Sequence, residues 1–207
     1  MAQFSLENPS LAKVIIENEK VYSRTGAMVA YDGKIKFSKA ILGGEGLFGS
    51  LKRKVAKEKQ SVMTWKGNGA VYFAHEGREV SIIELEGGKI FVESSSVLAY
   101  DESLETDVAF AGVSGAATKT GLFTTTIEGT GSVALIAEGT VIPLVVTPEH
   151  PVFIDPDAFI AYKGDSIHRE FILDVNWKTV AGMSSGETFQ IKFSGDGVVY
   201  VQPSERK

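Results

Sequence analysis

The feature that most constrains this chain is an internal repeat. The 35 residues GNGAVYFAHEGREVSIIELEGGKIFVESSSVLAYD starting at Gly67 align without a gap with GTGSVALIAEGTVIPLVVTPEHPVFIDPDAFIAYK starting at Gly129. At this offset Gly67 meets Gly129, Gly69 meets Gly131, Val71 meets Val133, Glu76-Gly77 meet Glu138-Gly139, and Ala99-Tyr100 meet Ala161-Tyr162. A third opening, GDGVVYVQP, starts at Gly195, and its missing second half matches the other end of the chain, where KVYSRTGAMVAYD (20–32) resembles KIFVESSSVLAYD (89–101). Fixed-period self-similarity means that one supersecondary unit is used repeatedly, each copy burying its apolar face against the next. The chain therefore divides into units of about 67–128 and 129–194 and a split unit, 195–207 plus 1–66, within one domain.

Each unit carries strand signals. In GETFQIKFSGDGVVYV, Phe189, Ile191 and Phe193 alternate with polar neighbours, and SVMTWKGNG and GLFTTTIEGTG keep β-branched or aromatic residues ahead of the G-x-G. The paired glycines, Gly67 and Gly69, Gly129 and Gly131, Gly195 and Gly197, mark structural turns or bulges, where φ is positive or another backbone comes close. Pro143 inside VIPLVV marks an edge or bulged strand, while Pro148, Pro151 and Pro156 mark bends. One stretch departs from this pattern. In ILGGEGLFGSLKRKVAKEK (41–59), Leu47, Leu51 and Val55 recur at helical spacing with Phe48 beside them, which predicts one short amphipathic helix. Packing the units around an approximate threefold axis would set the C-terminal GDGVVYV beside the N-terminal half-unit and remove exposed strand edges.

Composition narrows the functional classes. At 207 residues, 43% hydrophobic and 23% charged, the chain can bury a core as an ordinary globular protein. A net charge of −5 has the wrong sign for gripping nucleic acid with the whole surface. The absence of cysteine removes disulfides, thiolate metal sites and thiol nucleophiles. No leader-like n-region, h-region or long apolar run stands in the sequence, so a cytoplasmic protein is expected.

GAMVAYDGKI, the GGEGLFGSLKR loop, the G-x-G strand followed by IIELEGGKIFVESSSVLAYD, and the terminal FSGDGVVYVQ follow one another in an order that resembles the altered inheritance of mitochondria protein 24 family, also called domain of unknown function 124. The likeness runs from about Lys13 to Gln202, and the GGEGLFGSLKR loop is its most specific element. It implies an all-β fold of three repeats like the trp RNA-binding attenuation protein, a shortened double-stranded β-helix or barrel with pseudo-threefold symmetry. It also implies self-association into a ring-like homotrimer, and no established reaction. One departure is Lys57-Glu58, where the family often has Gly-Glu after the basic helix.

Catalytic motifs fail on context. GMSSG (182–186) fits the G-x-S-x-G of a hydrolase nucleophile turn, but the ETFQIKFSG that follows has strand period, and no histidine comes after Ser184. His75, His150 and His168 form no closely spaced pair and fall at non-equivalent repeat positions, so no metal or cofactor is expected. Asp155 and Asp157 flank Pro156, and D-P-D is foremost a turn. GGEGLFG lacks the G-K-[ST] of a phosphate loop and the strand–helix setting of a dinucleotide site.

What remains is the basic helix. Tyr31 is 36 residues from Gly67, whereas Tyr100 is 29 from Gly129, so the helix is inserted into a strand connection, where function is commonly added to a scaffold. Lys52, Arg53 and Lys54 would stand in its first turn, where the helix dipole disfavours cations unless an anion offsets them, with Lys57 beyond. These four residues are the candidate patch for an acidic protein or an anionic membrane. The expected function is a non-enzymatic scaffold or interaction protein that assembles into a β ring. The alternatives are an RNA-binding protein, by fold analogy, and a small-molecule-binding protein or enzyme of the cupin kind.

Overall fold

The structure, a computed structural model, describes residues 1–39, 62–110, 123–173 and 189–205. Its strands are β1 (Gln3–Asn8), β2 (Leu11–Arg24), β3 (Met28–Lys39), β4 (Val62–Phe73), β5 (Glu79–Glu93), β6 (Val97–Asp101), β7 (Glu105–Phe110), β8 (Phe123–Ala137), β9 (Ile142–Val146), β10 (Val152–Ile154), β11 (Phe159–Lys163), β12 (His168–Leu173), β13 (Phe189–Ser194) and β14 (Gly197–Val201). Among the described residues, single 3-10 turns stand at Ser94–Ser96 and Pro156–Ala158. The period-two pattern gives strands, and the described strands pair antiparallel into an all-β fold. The helix expected within 41–59 lies outside the described residues, as do Lys52, Arg53, Lys54 and Lys57.

Where the sequence suggests one domain, contact density draws two compact units. Met1–Gly88, Ser95–Glu105 and Glu128–Ile136 form the first; Lys89–Ser94, Thr106–Ile127 and Ala137–Lys207 form the second. The long strands β5 and β8 contribute to both.

In the first unit β2 is the spine. Ala12, Val14 and Ile16 point inward and are buried, then the phase flips and Val21 and Ser23 are buried instead. The cause is a bulge. Pairing with β4 runs Ile16↔Gly69 and Glu17↔Asn68, then resumes at Lys20↔Lys66, and Asn18 takes φ +66° within the extra residue's span. An added residue in a period-two element moves every later side chain to the other face. β5 repeats the device, with Ile83 and Leu85 buried before Gly87 (φ +81°) and Ile90 and Val92 after it. The core of the first unit gathers Val14, Ile16, Trp65, Val71, Phe73 and Leu98, and the Trp65 Nε1–H donates to the Ser23 Oγ at 2.8 Å, so the indole is buried with its polar atom satisfied. The second unit is built on Phe159, Tyr162, Ile191, Phe193 and Val199.

One register recurs in three strand pairs. β3 meets β4 with Tyr31↔Val71 and a shift between Met28 and Ala30; β6 meets β8 with Tyr100↔Val133 and a shift between Val97 and Ala99; β11 meets β14 with Tyr162↔Val199 and a shift between Phe159 and Ala161. Each Ala-Tyr strand thus pairs with the G-x-G strand that follows it in sequence. This corrects the expected position of the C-terminal strand. β14 lies between β11 and β9, so both its edges are occupied and it does not pair with the N-terminal segment, whose strand β2 pairs β1, β4 and β6 instead. Pro143 sits in β9, the last strand of its sheet order, where a missing N–H is tolerated.

Candidate functional site

The side chains that chemistry would need are scattered. His75 stands in the turn after β4, half-buried; burial, with the Arg24 charge adding to it, holds its imidazole below the ordinary histidine value. The Glu76 carboxylate, 3.6 Å from Nε2, pulls the other way, but it is 65% exposed and solvent-screened, so burial wins. The ring is therefore neutral at pH 7. His150 closes a turn through a bridge to Thr147, and His168 opens β12 opposite Ser194. Among the described residues these imidazoles join no group of three or more potential metal ligands. Asp155 caps the 3-10 turn by accepting from the Asp157 N–H at 2.7 Å, which is the turn chemistry of D-P-D. Ser184 lies outside the described residues. Asp101 is buried and accepts from the N–H groups of Ala2 and Ser103 and from the Ser103 hydroxyl.

The glycines mark close backbone approaches more than turns. Gly67 and Gly69 lie inside β4, and Gly129 and Gly131 inside β8, all with positive φ. A Cβ on Gly69 would overlap the carbonyl oxygen of Asp32, and one on Gly131 would sit 2.7 Å from the Ser103 Oγ and 3.1 Å from the Asp101 Cβ. Gly195 (φ +102°) lies in the bend between β13 and β14, and Gly197 opens β14, where a Cβ would collide with Lys163 and Ile167. At each crossing an Ala-Tyr strand passes against a G-x-G, which leaves no room for a side chain.

Among the described residues the terminal strands of the sheet orders expose large apolar side chains, Ile142 and Val145 on β9 and Phe171 on β12 among them. β3 ends one sheet order with Val29, Tyr31 and Phe37 exposed. β10 ends the order of a three-stranded sheet with Phe153 exposed. Elsewhere the matching rings are covered. Tyr22 stacks on Tyr100 with centroids 5.3 Å apart and planes at 29°, and Phe91 stacks on Tyr162 at 4.6 Å and 10°. Burial raises the Tyr162 phenol above its usual value, in keeping with a ring packed in the core. The sequence carried a signal for these residues: Tyr31, Tyr100 and Tyr162 align with one another, as do Tyr22, Phe91 and Phe153. An exposed strand edge presents backbone N–H and C=O groups that can template pairing with a further strand.

These features define an all-β protein of antiparallel sheets. The chain belongs to the mitochondrial biogenesis AIM24 family, whose sequence model matches residues 3–204. Its fold is similar to that of a Streptococcus pyogenes protein solved by X-ray crystallography, with a TM-score of 0.76 and 20% identity over 99% of this chain and 94% of that one. No curated protein matches the sequence. Among the described residues no helix is long and apolar enough to cross a membrane.

Proposed function

We propose that this protein is a non-enzymatic scaffold that assembles through its sheets into a ring-like homotrimer. The reading includes three copies of one unit in the manner of a shortened double-stranded β-helix, framed by the pairings as 11–73, 79–137 and 142–201, with β1 as an added strand. The observation that carries it is the common bulged register of β3–β4, β6–β8 and β11–β14. Repeated units joined by strand pairing leave a donor edge at one end and an acceptor edge at the other, and a further copy satisfies both. The family's name, mitochondrial biogenesis, fits an assembly role and names no reaction. Light scattering of the purified protein is expected to give about three times 22.3 kDa, and a species of 22.3 kDa at micromolar concentration would remove the reading.

The basic segment supplies the scaffold's outward contact in this reading. Reversing Lys52, Arg53 and Lys57 to Glu is expected to leave the melting temperature and particle mass nearly unchanged, since an exposed charge contributes within about 0.5 kcal/mol. Capture on anionic vesicles should weaken, most clearly at low salt, where screening is least. Equal capture by the reversed protein would return the segment to a solvated basic surface.

A further inference from the structure

We infer that the open edge of β10 in one copy pairs antiparallel with the open edge of β3 in a second copy, setting Phe153 on Tyr31. The inference rests on the assembly reading and names its interface.

The argument comes from a pairing the chain makes twice. β2 meets β6 as Val21↔Asp101, Tyr22↔Tyr100 and Ser23↔Ala99. β5 meets β11 as Ile90↔Lys163, Phe91↔Tyr162 and Val92↔Ala161. In both the central pair is aromatic and stacked. The repeat alignment places Val152, Phe153 and Ile154 where Ile90, Phe91 and Val92 stand, and Ala30, Tyr31 and Asp32 where Ala99, Tyr100 and Asp101 stand. A third instance would therefore read Val152↔Asp32, Phe153↔Tyr31 and Ile154↔Ala30.

Both halves of that third instance are preformed. β10 pairs β13 as Val152↔Phe193 and Ile154↔Ile191, the register in which β2 pairs β4 at Val21↔Trp65 and Ser23↔Met63. β3 holds β4 through Tyr31↔Val71, the register that holds Tyr100 and Tyr162. In each case the inner edge matches its equivalents and, among the described residues, the outer edge is terminal in its sheet order. Exposure follows: Tyr31 is 45% and Phe153 51% exposed, against 6% for Tyr100 and 8% for Tyr162. Among the described residues Tyr31 makes an edge-on contact with Phe37 at 6.2 Å, and Phe153 has the Lys192 ammonium at 5.9 Å. A partner strand would satisfy the outer backbone groups and cover the two rings. The two edges belong to different strands, so the contact is head-to-tail, the kind that closes into a ring.

The chain has no cysteine, which makes cross-linking a clean test. Directly opposed strand residues fall within disulfide reach. Mixing Tyr31→Cys protein with Phe153→Cys protein under mild oxidation is expected to yield a reducible band at about twice 22.3 kDa, while either variant alone yields none. The double variant should give a ladder. A disulfide closed within one chain, or no link in the mixture while the wild type still assembles, would overturn the edge assignment and leave the assembly reading standing. A wild type of monomer mass would remove the assembly reading, and this inference with it. As a second readout, Tyr31→Lys is expected to lose the assembled mass while the chain stays folded, with an unchanged far-UV circular dichroism spectrum, because a charged edge blocks strand addition while the half-exposed ring holds little of the core. Full assembly by Tyr31→Lys would also overturn the assignment.

Discussion

Replacing Gly67 by alanine is expected to destabilise the fold by about 3 kcal/mol or more, through two effects that act together. The residue takes φ +143°, a backbone conformation that L side chains rarely adopt. Its Cβ would also overlap the carbonyl oxygen of Lys34 and lie 3.0 Å from that carbonyl carbon, both rigid backbone atoms of the neighbouring β3. Other glycines separate the two causes. Gly26 has φ +82° with nothing within 4 Å of a Cβ, so Gly26→Ala should cost only the conformational part, about 1 kcal/mol. Gly88 has neither constraint, and Gly88→Ala should be neutral or slightly stabilising because it restricts the unfolded chain. Urea denaturation midpoints should therefore fall in the order Gly88→Ala, Gly26→Ala, Gly67→Ala. A Gly67→Ala protein as stable as Gly88→Ala would mean that β3 and β4 do not approach as closely as the crossing requires.

Much of the fold could be read from the repeat. Equivalent residues adopt equivalent structure even where their chemistry differs. Asn18 and Gly87 stand at the same repeat position, and both take positive φ at the phase flip of their strands. Period two alone would have misplaced Val21 and Ile90, because a bulge inverts inside and outside; the flip becomes legible only when the two strands are aligned. The frame of the unit was not legible. An alignment states which segments are alike and is indifferent to where a copy begins, so GDGVVYV could complete a unit with the N-terminal segment or end one begun at β9. In the structure β14 pairs β9 and β11.

The site was less legible than the scaffold. Sequence reasoning drew attention to Lys52, Arg53, Lys54 and Lys57 because charge clusters stand out in composition, yet those residues lie outside the described structure. Tyr31 and Phe153 went unremarked because each reads as an ordinary core aromatic of a repeated strand. What sets them apart is exposure where Tyr100 and Tyr162 are covered, which depends on the strands packed beside them. Repeat sequences hide their ends in this way: the terminal strands carry the same pattern as the internal ones while meeting a different environment.

Phe159→Ala is expected to cost about 3–5 kcal/mol, the range for removing a buried aromatic ring and leaving a cavity. Phe159 is fully buried at the centre of the second unit's core. Its ring stacks on Phe193 with centroids 5.9 Å apart and lies 6.2 Å from Tyr162, which in turn contacts Phe193 at 5.3 Å and Phe91 at 4.6 Å. The site cannot easily collapse, because Phe159 begins β11 beside the register shift that orients Ala161 and Tyr162 toward β14 and β5. Loss of the ring should therefore loosen the Phe91–Tyr162 stack as well as open a void. Leucine at the same position fills part of the volume and should recover roughly half of the loss, which distinguishes a cavity cost from misfolding. The matched contrast is Phe153→Ala. That ring is 51% exposed, so its removal should lower stability by no more than about 1 kcal/mol in the monomer while weakening assembly. Chemical denaturation paired with light scattering reads both quantities. If Phe159→Ala were as stable as Phe153→Ala, the aromatic cluster would not be the core of the second unit.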